Sequence, residues 1–117
     1  MAYLTSYSFE ARKLTKEDRA KLKETLAEIE YPRFEMYNWD NAGDALYAET
    51  GEIRWYEHTI DMETFSAEFP AAPMKLHGEG ENRGDVWDEY YLGGKLIDRL
   101  EWELIAPPPP LVVGWED

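Results

Sequence analysis

Tyr3, Thr5, Tyr7 and Phe9 alternate with Leu4, Ser6 and Ser8 at the start of the chain. A period of two in β-forming residues predicts a strand over 3–10. Thr15 follows as a helix N-cap, with Asp18 three residues on in capping-box position. Lys16 to Ile29 is built of good helix formers, with Leu22, Leu26 and Ile29 on one face, and Pro32 stops it. Phe34 and Met36 alternate with Glu35, Tyr37 and Trp39, predicting a second strand over 33–39 and a turn over 40–44. Residues 45–48 and 51–58 read as a hairpin or one bulged strand. Asp61 is placed to cap a short helix running to Phe69 and closed by Pro70, with Ile60, Phe65 and Phe69 toward the sheet. Strands are then expected over 74–81, 85–92 and 95–105. In the last, Leu96, Leu100, Trp102 and Leu104 face one way and Arg99, Glu101 and Glu103 the other.

The predicted order is β-α-β-β-α-β with an added C-terminal β-hairpin. It matches an α+β, ferredoxin-like fold: an antiparallel sheet with two helices on one face and the other face open or covered by a partner. The domain spans 1–105. The tail, 106–117, begins with Pro107 to Pro110, which cannot continue a ladder and favour a stiff polyproline II segment. Beyond them, Leu111, Val112, Val113 and Trp115 either pack back on the domain or dock elsewhere, which leaves a dimer open.

Charge sharpens the picture. The chain of 117 residues has a net charge of −13. Residues 1–33 carry 7 bases and 6 acids, whereas 34–117 carry 5 bases and 19 acids. The acidic portion repels phosphates and anionic membrane surfaces, so no direct nucleic-acid or membrane contact is expected. Cationic partners are favoured, including a protein groove that normally holds DNA or RNA; acidic solubility alone is the plainer reading. Apolar residues make up 44%, enough for a core. The absence of cysteine excludes disulfides and thiolate ligands. With no apolar run long enough to span a membrane and no signal-peptide pattern at the start, a cytoplasmic location is expected, that of the host cell if phage-encoded.

Residues 74–95 concentrate the candidate chemistry. Two strand-like runs flank a polar Gly/Asn turn, and Gly93-Gly94 turns the chain into a third. Glu79, Glu81, Asp85, Asp88 and Glu89, with Asp98 just beyond, surround Trp87, Tyr90 and Tyr91. Glu79, Glu81, Asp85, Asp88, Glu89 and Tyr90 are the expected partner-binding residues, since spaced carboxylates attract a basic surface and tyrosine anchors interfaces. Alternation places Trp87 and Tyr91 in the core with Val86 and Tyr90 outward.

The pattern G-E-G-E-x-x-G-D-x-W-x-x-Y-Y-x-x-G-K, Gly78 to Lys95, with F-S-x-x-F-P at Phe65 to Pro70, resembles one found in small ferredoxin-like proteins of phages and mobile elements. The resemblance covers residues from about 60 to 105. It implies a mobile-element origin, and with it an inhibitor of a host defence protein, of the anti-CRISPR type, that imitates nucleic acid.

Other chemistry is thinner. His77, Glu79 and Glu81 share a strand face that could offer metal ligands, but an outward polar face opposite Leu76, Gly78 and Gly80 explains them, and no metal or cofactor is expected. Glu79 or Glu81 with Asp85 could form an acid/base pair, a signal diluted by 25 acids. Two histidines support no Ser/His/Asp order, and no phosphate-binding glycine loop is present. The chain reads as a binding protein and not an enzyme, with a small metal-dependent enzyme or a virion or assembly protein as alternatives.

Overall fold

A computed structural model describes residues 4–36, 43–81, 84–102, 107, 108, 110 and 112–115. Among the described residues, six strands and two helices follow in the order β1 (Thr5–Ala11), α1 (Lys16–Glu28), β2 (Glu35–Met36), β3 (Leu46–Ile53), α2 (His58–Glu68), β4 (Met74–Gly80), β5 (Val86–Leu92) and β6 (Lys95–Glu101). The strands form one open antiparallel sheet in the order β2-β3-β1-β4-β5-β6. The protein is therefore α+β. The expected strand residues 37–39 and 103–105 lie outside the described residues.

α1 starts as its sequence requires. The Thr15 hydroxyl accepts from the Asp18 N–H at 3.0 Å, satisfying one of the free amides of the first turn. α2 begins four residues earlier than its sequence suggested, with Glu57 and not Asp61 at the cap position. Asp61 sits inside the first turn and its carboxylate accepts from Trp55 Nε1 at 2.7 Å, so it does not cap the helix. Met62, Phe65 and Phe69, three and four residues apart, form the buried face, whereas Ile60, five residues from Phe65 and so expected against the sheet in error, is 61% exposed.

The alternation of β1 sends Tyr7, Phe9 and Ala11 to the helix side, where they join Leu46 and Ala48 of β3, Met74 and Leu76 of β4, Trp87 and Tyr91 of β5, and Leu22 and Leu26 of α1 in the main core. β3 is a single strand with an irregularity. Ser6 pairs with Glu52 and Ser8 with Glu49, so one extra β3 residue is accommodated there. The Thr50 hydroxyl accepts from the Tyr7 N–H at 3.2 Å and replaces a ladder bond. At Gly78 a Cβ would come under 3.0 Å from three atoms of the Trp87 ring, so the indole lies directly on the β4 backbone.

The tail returns to the sheet. Val112 and Trp115 are buried with Tyr90, and Leu100 packs against them, forming a second apolar cluster separate from the main core. Trp115 meets Tyr90 edge-on with centroids 5.7 Å apart, and the Arg12 guanidinium lies 3.9 Å from its ring centroid. Packing on the parent domain thus accounts for Val112 and Trp115, while Val113 is exposed. Gly114, at φ +89, presses on Pro73 so closely that a Cβ would fall under 3.0 Å from its ring.

Candidate functional site: an acidic groove over the central strand

The sheet face away from the helices carries Ser6, Ser8 and Glu10 on β1. Register places Glu52, Glu49 and Tyr47 of β3 beside them on one side, and Glu79, His77 and Lys75 of β4 on the other. The serines are short and their neighbours long, so a groove runs along β1 with a serine floor. Two hollows mark it: one of about 260 Å³ lined by Ser8, Glu10, Tyr47, Glu49, Lys75 and His77 among others, and one of about 390 Å³ lined by Leu4, Ser6, Glu52, Glu79, Gly80 and Glu81. The flanking strands lie two inter-strand spacings apart, about 10 Å, and seven residues of β1 extend about 20 Å. One extended chain, or a row of long side chains from a partner, fits such a channel. Its walls carry Glu49, Glu52, Glu79 and Glu81, with Glu10 at one end and Lys75 beside it.

The expected partner-binding residues divide. Glu79 and Glu81 are exposed and belong to the groove, and Asp85 is half-buried at the tip of the β4–β5 hairpin. Asp88, Glu89 and Tyr90 are buried, at 4%, 2% and 3% exposure, and present no surface to a partner. The reason is that both faces of β5 are covered: helices lie over Glu89, and the tail lies over Tyr90.

Asp88 and Glu89, adjacent in sequence, are the centres of two separate polar networks. On the groove side, His77 Nδ1 donates to Asp88 Oδ1 at 2.6 Å and Trp102 Nε1 donates to Asp88 Oδ2 at 3.0 Å. Burial pushes the Asp88 carboxyl up, but these hydrogen bonds, with Lys75 nearby, outweigh it and hold its pKa below the ordinary value. His77 Nε2 stands 3.9 Å from Glu79. On the helix side, Glu89 accepts from the Tyr91 hydroxyl at 2.6 Å and from Arg99 Nη1. His58 Nε2 stands 3.1 Å from Glu89 Oε1. Burial again pushes the carboxyl up, and His58, Tyr91 and Arg99 bring it below the ordinary value.

These arrangements limit the chemistry available. Both nitrogens of His58 face protein acceptors, Nδ1 the Trp55 carbonyl at 3.2 Å and Nε2 Glu89. His77 has Nδ1 committed to Asp88, and among the described residues no group of three or more His, Asp or Glu is arranged to hold a metal ion. Sequence reasoning missed Glu10, Glu49 and Glu52. The signal that could have found them is their place on the polar half of the same alternation that identified β1 and β3. No described helix is long and apolar enough to cross a membrane. No protein-family model, no curated protein and no solved structure matches the chain.

Proposed function

We propose that this protein is a binding module that seats a basic segment of a protein partner in the acidic groove over β1. The observation that carries this reading is the groove itself: a serine floor between walls bearing Glu49, Glu52, Glu79 and Glu81 on the sheet face the helices leave uncovered. The carboxylates of β3 and β4 face one another across β1, about two strand spacings apart, and like charges at that distance still repel. A cationic occupant relieves that repulsion, and the net charge of −13 speeds its arrival.

The partner class follows from the resemblance of residues 78–95. It is a nucleic-acid-binding defence protein of the host, whose basic groove supplies the segment that this module seats and is thereby closed to DNA or RNA, as by an anti-CRISPR inhibitor. The proposal extends to topology: β1 to β4 with the two helices form a ferredoxin-like unit, to which β5 and β6 add a hairpin. The neighbour relations β2-β3-β1-β4 and the shared core of α1 and α2 support that reading.

The test uses a peptide of alternating arginine and serine titrated into the full chain, with backbone amide shifts as readout. Saturable shifts at Ser6 and Ser8 that weaken at least tenfold in the Glu49→Gln/Glu52→Gln/Glu79→Gln variant are expected, as is a steep fall of affinity with salt. Equal affinity in the variant, or binding indifferent to salt, removes the proposal.

A further inference from the structure

A second concavity, on the helix side of the sheet, has the features of a built small-molecule site. It is a pocket of about 340 Å³ lined by Thr5, Tyr7, Trp55, Tyr56, His58, Asp85, Trp87 and Arg99. That volume is at the lower end of ligand pockets, which are mostly apolar with a few placed polar groups. Its walls are aromatic and stand at steep angles. Tyr7 meets Trp55 at 77° with centroids 5.1 Å apart, and Trp87 at 68° and 5.9 Å. Tyr56 at the rim is 75% exposed, the most open of the large apolar side chains described.

The walls are fixed from behind. Trp87 lies on Gly78, where no Cβ could fit, and stacks on His58 at 24° with centroids 5.1 Å apart. The Arg99 guanidinium lies 4.6 Å from the Trp87 ring centroid and is tied by Nη1 to Glu89, which Tyr91 also holds. A carboxylate buried on the core face of a sheet is an expensive way to stabilise a fold, since apolar replacements often do as well. Its effect here is to hold one cationic, planar donor against an aromatic wall, the kind of support a binding site needs.

Charge decides what fits. The Arg99 guanidinium already takes the face of Trp87 that a cationic ligand would use. Asp85 at the pocket, Glu89 behind it and the net charge of −13 oppose an anion. We infer that this pocket binds a neutral, planar heteroaromatic molecule of nucleobase or nicotinamide size, stacked on the exposed Tyr56 ring beside the buried indoles and hydrogen-bonded by Arg99. The site is separate from the groove over β1 and does not depend on what occupies that groove.

The experiment is a titration of the ¹⁵N-labelled full chain with adenine and with nicotinamide, reading tryptophan indole N–H signals, with benzylammonium and benzoate as charged comparisons. Saturable shifts of Trp55 and Trp87 are expected in the millimolar range, with Trp102, bonded to Asp88 on the opposite face, unmoved. Tyr56→Ala changes an exposed side chain, leaves the fold intact, and should weaken binding roughly fivefold or more through lost stacking. Arg99→Lys keeps the charge but not the planar donor fork and should weaken it further. The inference is overturned if neither neutral probe shifts Trp55 and Trp87 saturably, if a charged probe binds more tightly than both, or if Tyr56→Ala leaves affinity unchanged.

Discussion

Replacing Gly78 by alanine pits two effects of known sign against each other. Alanine in a strand interior is favoured over glycine by about 0.5–1 kcal/mol, because the unfolded chain loses less freedom on folding. Gly78 has no positive φ to protect, so this gain would be realised in open space. The space is filled: the new Cβ falls under 3.0 Å from Cζ2, Cε2 and Cη2 of Trp87. The β4 backbone cannot recede, being bonded to β1 on one side and β5 on the other. The indole must therefore tilt, at an overpacking cost of about 1–3 kcal/mol. Tilting also disturbs the stack on His58 and the Arg99 contact, each worth about 0.5–1 kcal/mol. The net expectation is a destabilisation of about 1–3 kcal/mol, a fall of roughly 1 M in the urea midpoint followed by far-UV circular dichroism. The cause is isolated by repeating the substitution in a Trp87→Leu background, where the ring is gone and Gly78→Ala should be neutral or stabilising. Equal costs of Gly78→Ala in both backgrounds, within about 0.5 kcal/mol, would refute the steric reasoning.

Further outcomes follow from the two networks and the tail. Asp88 and Glu89 both have carboxyls held below their ordinary values, so the unfolded chain takes up protons first as pH falls. Their stabilisation is complete above the ordinary carboxylate range and is lost from about pH 5 downward; a melting temperature independent of pH between 7 and 3 would contradict this. Burial, with Asp88 nearby, pushes the Tyr90 hydroxyl up to about 12, so stability falls as pH rises past its ordinary value of 10, and an ultraviolet titration should show this phenol ionising late. Glu89→Leu removes the acceptor for Tyr91 and Arg99 and should cost about 2–4 kcal/mol in urea unfolding, discounted for the partial exposure of Arg99. Gly114→Ala combines a positive φ with the clash at Pro73 and should release the tail, costing about 1–3 kcal/mol in dilute protein, as should truncation after Ile105; unchanged melting in both would mean the tail contributes nothing to the fold.

The elements were largely legible, because each rests on a local pattern. The Thr15 cap, the Leu22 and Leu26 face of α1, and the alternations of β1, β4 and β5 depend on residues a few positions apart. α2 was misplaced because Asp61 looks like a cap, whereas its carboxylate is engaged by a tryptophan outside the helix. The site was legible only in part. Glu79 and Glu81 are on the surface, but Asp88 and Glu89 are adjacent acids on opposite faces of one strand, and reading them as exposed assumes at least one open face. What closes the outer face is a segment more than twenty residues downstream, and what partners the acids are His58, His77 and Arg99, brought near only by the fold. Periodicity shows which face a residue is on; it cannot show whether that face is covered.

The position of β1 has a consequence for how the chain is made. β1 leaves the ribosome before either of its neighbours and lies between β3 and β4, with Thr5 paired to Ile53 on one side and to Gly80 on the other. Until both partners have emerged, Thr5–Ala11 has two unsatisfied ladder edges and a bare stripe of Tyr7, Phe9 and Ala11. Such a strand is a template for pairing with other nascent chains. The serines and Glu10 between the aromatics then serve during synthesis as well as in the groove, interrupting an otherwise sticky ribbon. The second edge of β1 is paired only when β4 arrives, so folding of this sheet on the ribosome is expected as a single step triggered by the emergence of Met74–Gly80.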